Sequence, residues 1–347
     1  MAGWAVRRNV SRAVRLAAAR RHAAQRAYDH KAGCIAVAPR GTPRAHRGSA
    51  RRQEDLDMAT QHDEERQYWT QQLEAAWSFM FERILPYPVL ECGESLVDLP
   101  SAVRAAGVEV YFSDRPHVHG LPRIFCLREG QIAGFVGAAR EMNARGWALR
   151  VEDGFRTPEM QKHLGRTPAV FDAILDKVMW ELGGQEPSAE FMFRRCSALV
   201  ATVPKFGTHM SGSAIDLSVV LRDAPGTEVD RGAPYLDMSA RTPMDSPHVS
   251  AQARHHRREV TALMQRHGFV AYPWEFWHYS SGDAYDQFLR QTGRPAIYGP
   301  VDWEATTGRL TPMADANQPL NSDEEIRDEI AAALRRSVMR GTRSGRG

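Results

Sequence analysis

The sequence predicts an α+β domain, an antiparallel central sheet flanked by helices. Three observations point there. Strand patterns at 147–151 and 214–221 do not alternate with helices as regular βαβ units would. Segments at 60–85, 131–145 and 248–267 instead read as helices. At 347 residues, with 43% hydrophobic and 25% charged residues, the chain can bury a full core and has an ordinary globular composition.

The elements follow in order. In 60–85 the residues Tyr68, Trp69, Leu73, Trp77, Met80, Phe81 and Ile84 recur at helical spacing, and Pro86 and Pro88 end the run. Short extended stretches are expected at 94–99 and 108–112. Asp114 to Gly120, with Pro116, His117 and His119, reads as a loop whose two histidines are solvated. An amphipathic helix at 131–145 stops at Gly146. The strand 147–151 turns out through Asp153-Gly154-Phe155-Arg156. Thr157 before Pro158 is a helix start, and a second helix at 169–182 ends at Gly183-Gly184. Ile, Leu and Val make 214–221 a buried strand. The Asp-, Pro- and Gly-rich segment 222–247 is a long loop, and loops of that length are commonly functional. A helix at 248–267, bearing a solvated His255-His256 pair, is stopped by Gly268 and leads through 269–272 to 275–279. Ser322 and Glu325 form a capping box before a last helix to about Arg336, with a disordered tail from Gly341.

Charge is distributed unevenly. Residues 1–57 hold 13 Lys/Arg against 4 Asp/Glu, so they carry +9 of a formal total of +3 and leave −6 to the remainder. This basic leader reads as a disordered extension, with Met58 opening the patterned region; an organelle transit peptide is the alternative. Without interleaved aromatics it does not read as a nucleic-acid arm. No apolar run reaches the ~18–20 residues of a membrane span. Cys34, Cys92, Cys126 and Cys196 are widely spaced with no C-x-x-C pair, against a disulfide scaffold or thiolate zinc site and in favour of a cytoplasmic, reducing location.

Two stretches carry chemistry. In Gly207-Thr208-His209-Met210-Ser211-Gly212-Ser213-Ala214-Ile215-Asp216, small residues let the chain bend so that a loop histidine and a strand aspartate converge. Glu275 and His278 sit among Tyr272, Trp274, Phe276, Trp277 and Tyr279, and burying both without partners is costly. Residues three apart in a regular strand face opposite sides, so a strand end or bulge must separate them, and Pro273 marks that irregularity. Two imidazoles and a carboxylate with an open fourth position make the donor set of a catalytic zinc, and a second carboxylate makes a base. Arg156, leaving a strand in a Gly-containing turn, is the candidate for stabilising an oxyanion.

These stretches resemble the zinc D-Ala-D-Ala dipeptidases and their D,D-carboxypeptidase relatives. That family carries D-G-[YF]-R-P, then H-x-x-G-x-A-x-D, then E-W-W-H followed by aromatic and Gly-Asp residues. Asp153-Gly154-Phe155-Arg156 matches the first apart from Thr157 ahead of Pro158. His209, Gly212, Ala214 and Asp216 match the second, and Glu275-Phe276-Trp277-His278 with Gly282-Asp283 is similar to the third. The resemblance spans roughly 95–290. It implies zinc ligands His209, Asp216 and His278, Glu275 as general base, Arg156 as transition-state stabiliser, and Asp245 as the carboxylate for the substrate's ammonium. Family members often place a serine, which holds the substrate carboxylate, where this chain has Gly207; Thr208 is the expected substitute. The family's Met-Gly loop reads Met238-Ser239 here, with a longer spacing to Asp245.

The expected organisation is thus a single catalytic domain at 58–315, between the extension at 1–57 and a C-terminal helix and tail at 316–347. The expected function is hydrolysis of a short D,D-peptide by metal-activated water, with Glu275 as base and one Zn2+ per chain. A D,D-carboxypeptidase or murein peptidase acting on longer peptides is one rival, and a zinc-retaining binding module the other. The partner is a short peptide substrate, with neither nucleic acid nor membrane, and the oligomeric state is open.

Overall fold

A computed structural model describes residues 46–117 and 120–344. The leader through residue 45, and the tail beyond 344, lie outside the described residues. Residues 46–58 are helical, the first part of α1 (His46–Phe79).

The rest of the chain is built on a five-stranded sheet in the order β2 (Val110–Phe112), β4 (Trp147–Asp153), β5 (Ala214–Leu221), β7 (His278–Ser280), β6 (Val270–Ala271). Its three pairings from β4 onward are antiparallel as expected, and the edge strand β2 runs parallel to β4. The parallel edge follows from the connection: helix α3 (Glu129–Ala144) lies between β2 and β4 and makes the crossover that parallel strands require. Beside it, β1 (Leu96–Asp98) pairs with β3 (Cys126–Arg128), and α2 (Leu99–Ala105) follows β1 directly.

One face of the sheet makes the core. Leu149 and Val151 of β4 and Ile215, Leu217 and Val219 of β5 alternate onto that face. Phe135 and Met142 of α3 pack on it with Val260, Leu263 and Met264 of α7 (Ala251–Arg266). Each such fully buried side chain contributes roughly 1.5–3 kcal/mol. The opposite positions of β5, Asp216 and Ser218, are also buried but polar, and they look toward the functional side.

That side is walled by α4 (Pro158–Leu164), α5 (Pro168–Glu181), α6 (Ala189–Val200) and α9 (Asp323–Ser344). Phe171, Ile174, Leu175, Met192, Cys196, Ile326 and Ile330 form its own apolar cluster. Helix α6 has no counterpart among the sequence expectations. Its N-cap Ser188, accepting from Phe191 N at 3.1 Å, was the available signal. The C-terminal helix keeps the expected Ser322–Glu325 box but runs on through Ser344, past the expected end at Arg336. Helix α8 (Ala284–Leu289) and the hairpin of β8 (Val301–Glu304) and β9 (Arg309–Pro312) complete the chain.

Candidate metal centre and active site

The centre forms where three strands end together. A register shift between Val151 and Asp153 pairs Asp153 with Asp216, and Asp216 pairs with His278 across the next strand. Cross-strand partners share a face, so the bulge turns the Asp153 side chain toward Asp216 instead of into the core. His209 arrives from the 3-10 turn Thr208–Ser211 that precedes β5. Gly212 leaves that turn at φ +67°, and a Cβ there would lie 2.5 Å from Leu96. Beneath the turn, the buried Arg128 donates to Ser211 O at 2.6 Å and pairs with Glu91 at 2.9 Å.

His209, Asp216 and His278 are buried, and one ligand atom from each lies within 4.8 Å of the others. His209 Nδ1 donates to Gly154 O at 2.6 Å; a carbonyl only accepts, so Nδ1 carries the proton and Nε2 a lone pair. That lone pair faces Asp216 Oδ1 at 3.2 Å, and His278 Nδ1 faces the same oxygen at 2.9 Å. A lone pair and a carboxylate oxygen so placed repel unless they share a cation. The donor set therefore fits a metal, and its chemistry, two imidazoles and one carboxylate, fits zinc. Gly154 must be glycine for this approach, since a Cβ would sit 2.7 Å from Ile124 O.

The surrounding groups hold the ligands in place. Tyr235, from the loop 222–247, donates to Asp216 Oδ2 at 2.9 Å. Burial, with Asp216 and Asp153 nearby, raises the Tyr235 phenol well above its ordinary value, so it remains a donor. Burial tends to raise the Asp216 carboxyl too, and only protonated His209 and His278 would outweigh it and hold it well below the usual range. Arg156 donates to Asp153 at 2.8 Å and Gln161 at 3.2 Å, and its other nitrogen lies 3.6 Å from Asp216 Oδ2. Burial works against its charge, but Asp153 and Asp216 raise its affinity for the proton.

Glu275 lies in the turn before β7, with Oε2 3.9 Å from His278 Nδ1. The strand begins at His278, so the three-residue spacing causes no conflict of faces, as the sequence required. Burial pushes the Glu275 carboxyl up to about 7. All these groups line one cavity of about 350 Å³, walled on its other side by apolar residues including Val170, Leu199 and Met238.

The structure corrects two expectations. Asp245 is exposed and lies away from the cavity, because the loop turns at Ser239–Thr242; Asp237 of the same loop lines it. Thr208 lines the cavity, and its hydroxyl meets His278 Nε2 at 2.9 Å. His117 is not solvated: it is buried, 3.8 Å from Asp153. Its neighbour His119 lies outside the described residues. Tyr235 and Asp237 escaped the sequence reading because nothing in a long loop marks which residue turns inward.

The strand-end centre thus sets a His, Asp and His donor group beside the partly buried carboxylate of Glu275. Residues 187–293 match the D-ala-D-ala dipeptidase model of the M15 peptidases. The chain is 36% identical over 80 residues to the D-alanyl-D-alanine dipeptidase of Escherichia coli K12, and 35% over 72 residues to that of Enterococcus faecium. These matches cover 23% and 21% of this chain and only 40% and 35% of those relatives. Two solved structures are more distant. The LD-carboxypeptidase LdcB has a TM-score of 0.32 at 16% identity, over 61% of this chain and 80% of that one. The D,D-pentapeptidase VanY, in complex with Zn(II), has a TM-score of 0.30 at 16% identity, over 61% and 96%. The matched segment contains His209, Asp216, Glu275 and His278, so the candidate metal centre lies within the part of the chain that is similar to the D-Ala-D-Ala dipeptidases.

Proposed function

We propose that this protein hydrolyses short D,D-peptides of the D-Ala-D-Ala type. The observation that carries the reading is Glu275, a half-buried carboxylate beside the His209–Asp216–His278 ligand set in a cavity of about 350 Å³. That volume is at the lower end of small-ligand sites and is enough for a dipeptide. His209, Asp216 and His278 would hold the zinc. When bound, zinc supplies Lewis acidity toward water and the peptide carbonyl.

The chain's own groups do the rest. Glu275, with a proton affinity near neutrality, takes the proton of the attacking water and returns it to the leaving amine. Arg156, held by Asp153 and Gln161, presents fixed positive charge to the oxygen where negative charge develops. Thr208, Tyr235 and Gly154 lock the ligands, so little rearrangement accompanies the reaction. Asp237, paired with Arg241 and Ser239, is the carboxylate that the loop brings to the cavity wall.

The test is D-alanine release from D-Ala-D-Ala by the zinc-loaded protein beside Glu275→Ala. Turnover that falls by about 10²-fold or more in the variant, with zinc retained, supports the reading. Turnover equal in both proteins would remove Glu275 from the mechanism, and zinc without any dipeptide turnover would refute the substrate.

A further inference from the structure

We propose that Arg123, with His117 beside it, is the anchor for the substrate's terminal carboxylate. This deepens the peptidase reading and rests on it. The family's serine position is Gly207 here, and Thr208 is engaged by His278, so the turn that carries the first ligand offers no hydroxyl for that task. The wall beside that turn does offer a cation. Arg123 lines it, with 11% of its side chain exposed. An isolated bridge pairs Ile124 with Phe155 and fixes Arg123 next to the Asp153–Arg156 turn.

The charges there do not cancel. Arg123 Nη1 lies 3.1 Å from Asp153 Oδ1, and Arg156 Nε lies 2.8 Å from Asp153 Oδ2, so two guanidiniums share one carboxylate. Asp216, the other acid near Arg156, is committed to the metal and to Tyr235. One positive charge is left over on a buried wall, and one carboxylate would balance it. Arg123 Nε is used by Arg115 O at 2.8 Å, which leaves the end of the fork for a ligand. His117 adds a second pointer. It is 5% exposed, it lines the same cavity, and its Nδ1 has no hydrogen-bond partner among the described residues. A buried ring nitrogen without a partner is costly in a folded protein, and a bound ligand would satisfy it. A dipeptide with its carbonyl at the zinc ligands would place its terminal carboxylate a few bonds away, along the line Asp216, Arg156, Asp153, Arg123.

The probe is D-Ala-D-Ala against its C-terminal amide, titrated calorimetrically into zinc-loaded Glu275→Ala protein. The free acid is expected to bind about 10- to 100-fold tighter, the worth of one charge-assisted hydrogen bond. Arg123→Gln, which keeps a hydrogen bond for Asp153 without the charge, is expected to abolish that preference, and Arg123→Lys to restore part of it. Equal binding of acid and amide by the parent, or a preference undiminished in Arg123→Gln, overturns the proposal. Hydrolysis of D-Ala-D-Ala by the unaltered protein is followed in parallel. Turnover without an Arg123-dependent acid preference sinks the anchor alone; the preference without turnover sinks the peptidase reading alone.

Discussion

Thr208 illustrates how one hydroxyl can be diverted from substrate to metal. Its Oγ1 sits 2.9 Å from His278 Nε2 and leaves Nδ1 aimed at Asp216. Removing such a partner weakens metal binding by about 10- to 100-fold in comparable sites. Thr208→Val, which keeps the shape, is therefore expected to lose zinc to a competing chelator at about that much lower chelator strength. An unchanged zinc affinity would show that the contact is incidental. Tyr235 acts on the same carboxylate from the other side, and Tyr235→Phe should weaken zinc binding in the same assay, since Asp216 Oδ2 would lose its buried donor.

At the scale of elements, the cavity depends on a helix that never touches the metal. Arg257 of α7 is buried and donates to the carbonyls of Arg231, Pro243 and Arg241 at 2.7, 2.7 and 2.8 Å. Arg231 in turn donates to Leu217 O at 2.6 Å and Phe276 O at 3.1 Å, and both guanidiniums lie over the Phe276 ring. These bonds hold the loop that presents Tyr235 and Asp237. Arg257→Met leaves several buried carbonyls without donors, each worth about 1–3 kcal/mol. A clear drop in melting temperature is expected, with a larger loss of activity than of secondary structure by circular dichroism. A variant as stable and active as the parent would mean that the loop holds itself.

The contact between α3 and α7 supplies a pH-dependent element. Glu141 of α3 accepts from Arg266, and from His267 at 3.0 Å. The Arg266 bond is the main cause that lowers its carboxyl from the ordinary 4.5 to about 2. A lowered folded-state value means stability that is present above 4.5 and is lost as pH falls toward 2. Glu141→Gln should therefore be less stable than the parent at pH 7, by a modest amount because the pair is partly exposed. Denaturant midpoints of the two proteins are expected to converge between pH 4.5 and 2; a gap that persists at pH 2 would assign the difference to something other than this charge.

At the scale of the molecule, zinc and fold are linked. The candidate ligands come from the stretch 209–216 and from β7, so a bound metal would tie two stretches that are far apart in the unfolded chain. A ligand that binds only the folded state stabilises it by RT ln(1 + [L]/Kd), about 4 kcal/mol at a thousandfold excess over Kd. Chelation is thus expected to lower the melting temperature by several degrees and to be reversed by stoichiometric zinc. A melting temperature indifferent to chelation would count against a resident metal.

Much of this was legible in the residues themselves. His209, Asp216, Glu275 and His278 stood out because charged and metal-binding groups in apolar or small-residue surroundings need a reason to be there, and strand 214–221 matched its bounds because β-branched runs bury on both faces. A central sheet flanked by helices followed from the spacing of strand and helix patterns. What the chain's local pattern did not decide was which polar loop residues face inward. Asp245 and Asp237 are both loop acids, and Thr208 and His117 both lie beside glycine or proline. Only the bulge at Asp153, the pinning of the loop by Arg257, and the bridge at Ile124 determine that Asp237, Tyr235, His117 and Arg123 meet the cavity while Asp245 meets water. Those are contacts between segments remote in sequence, and periodicity carries no information about them.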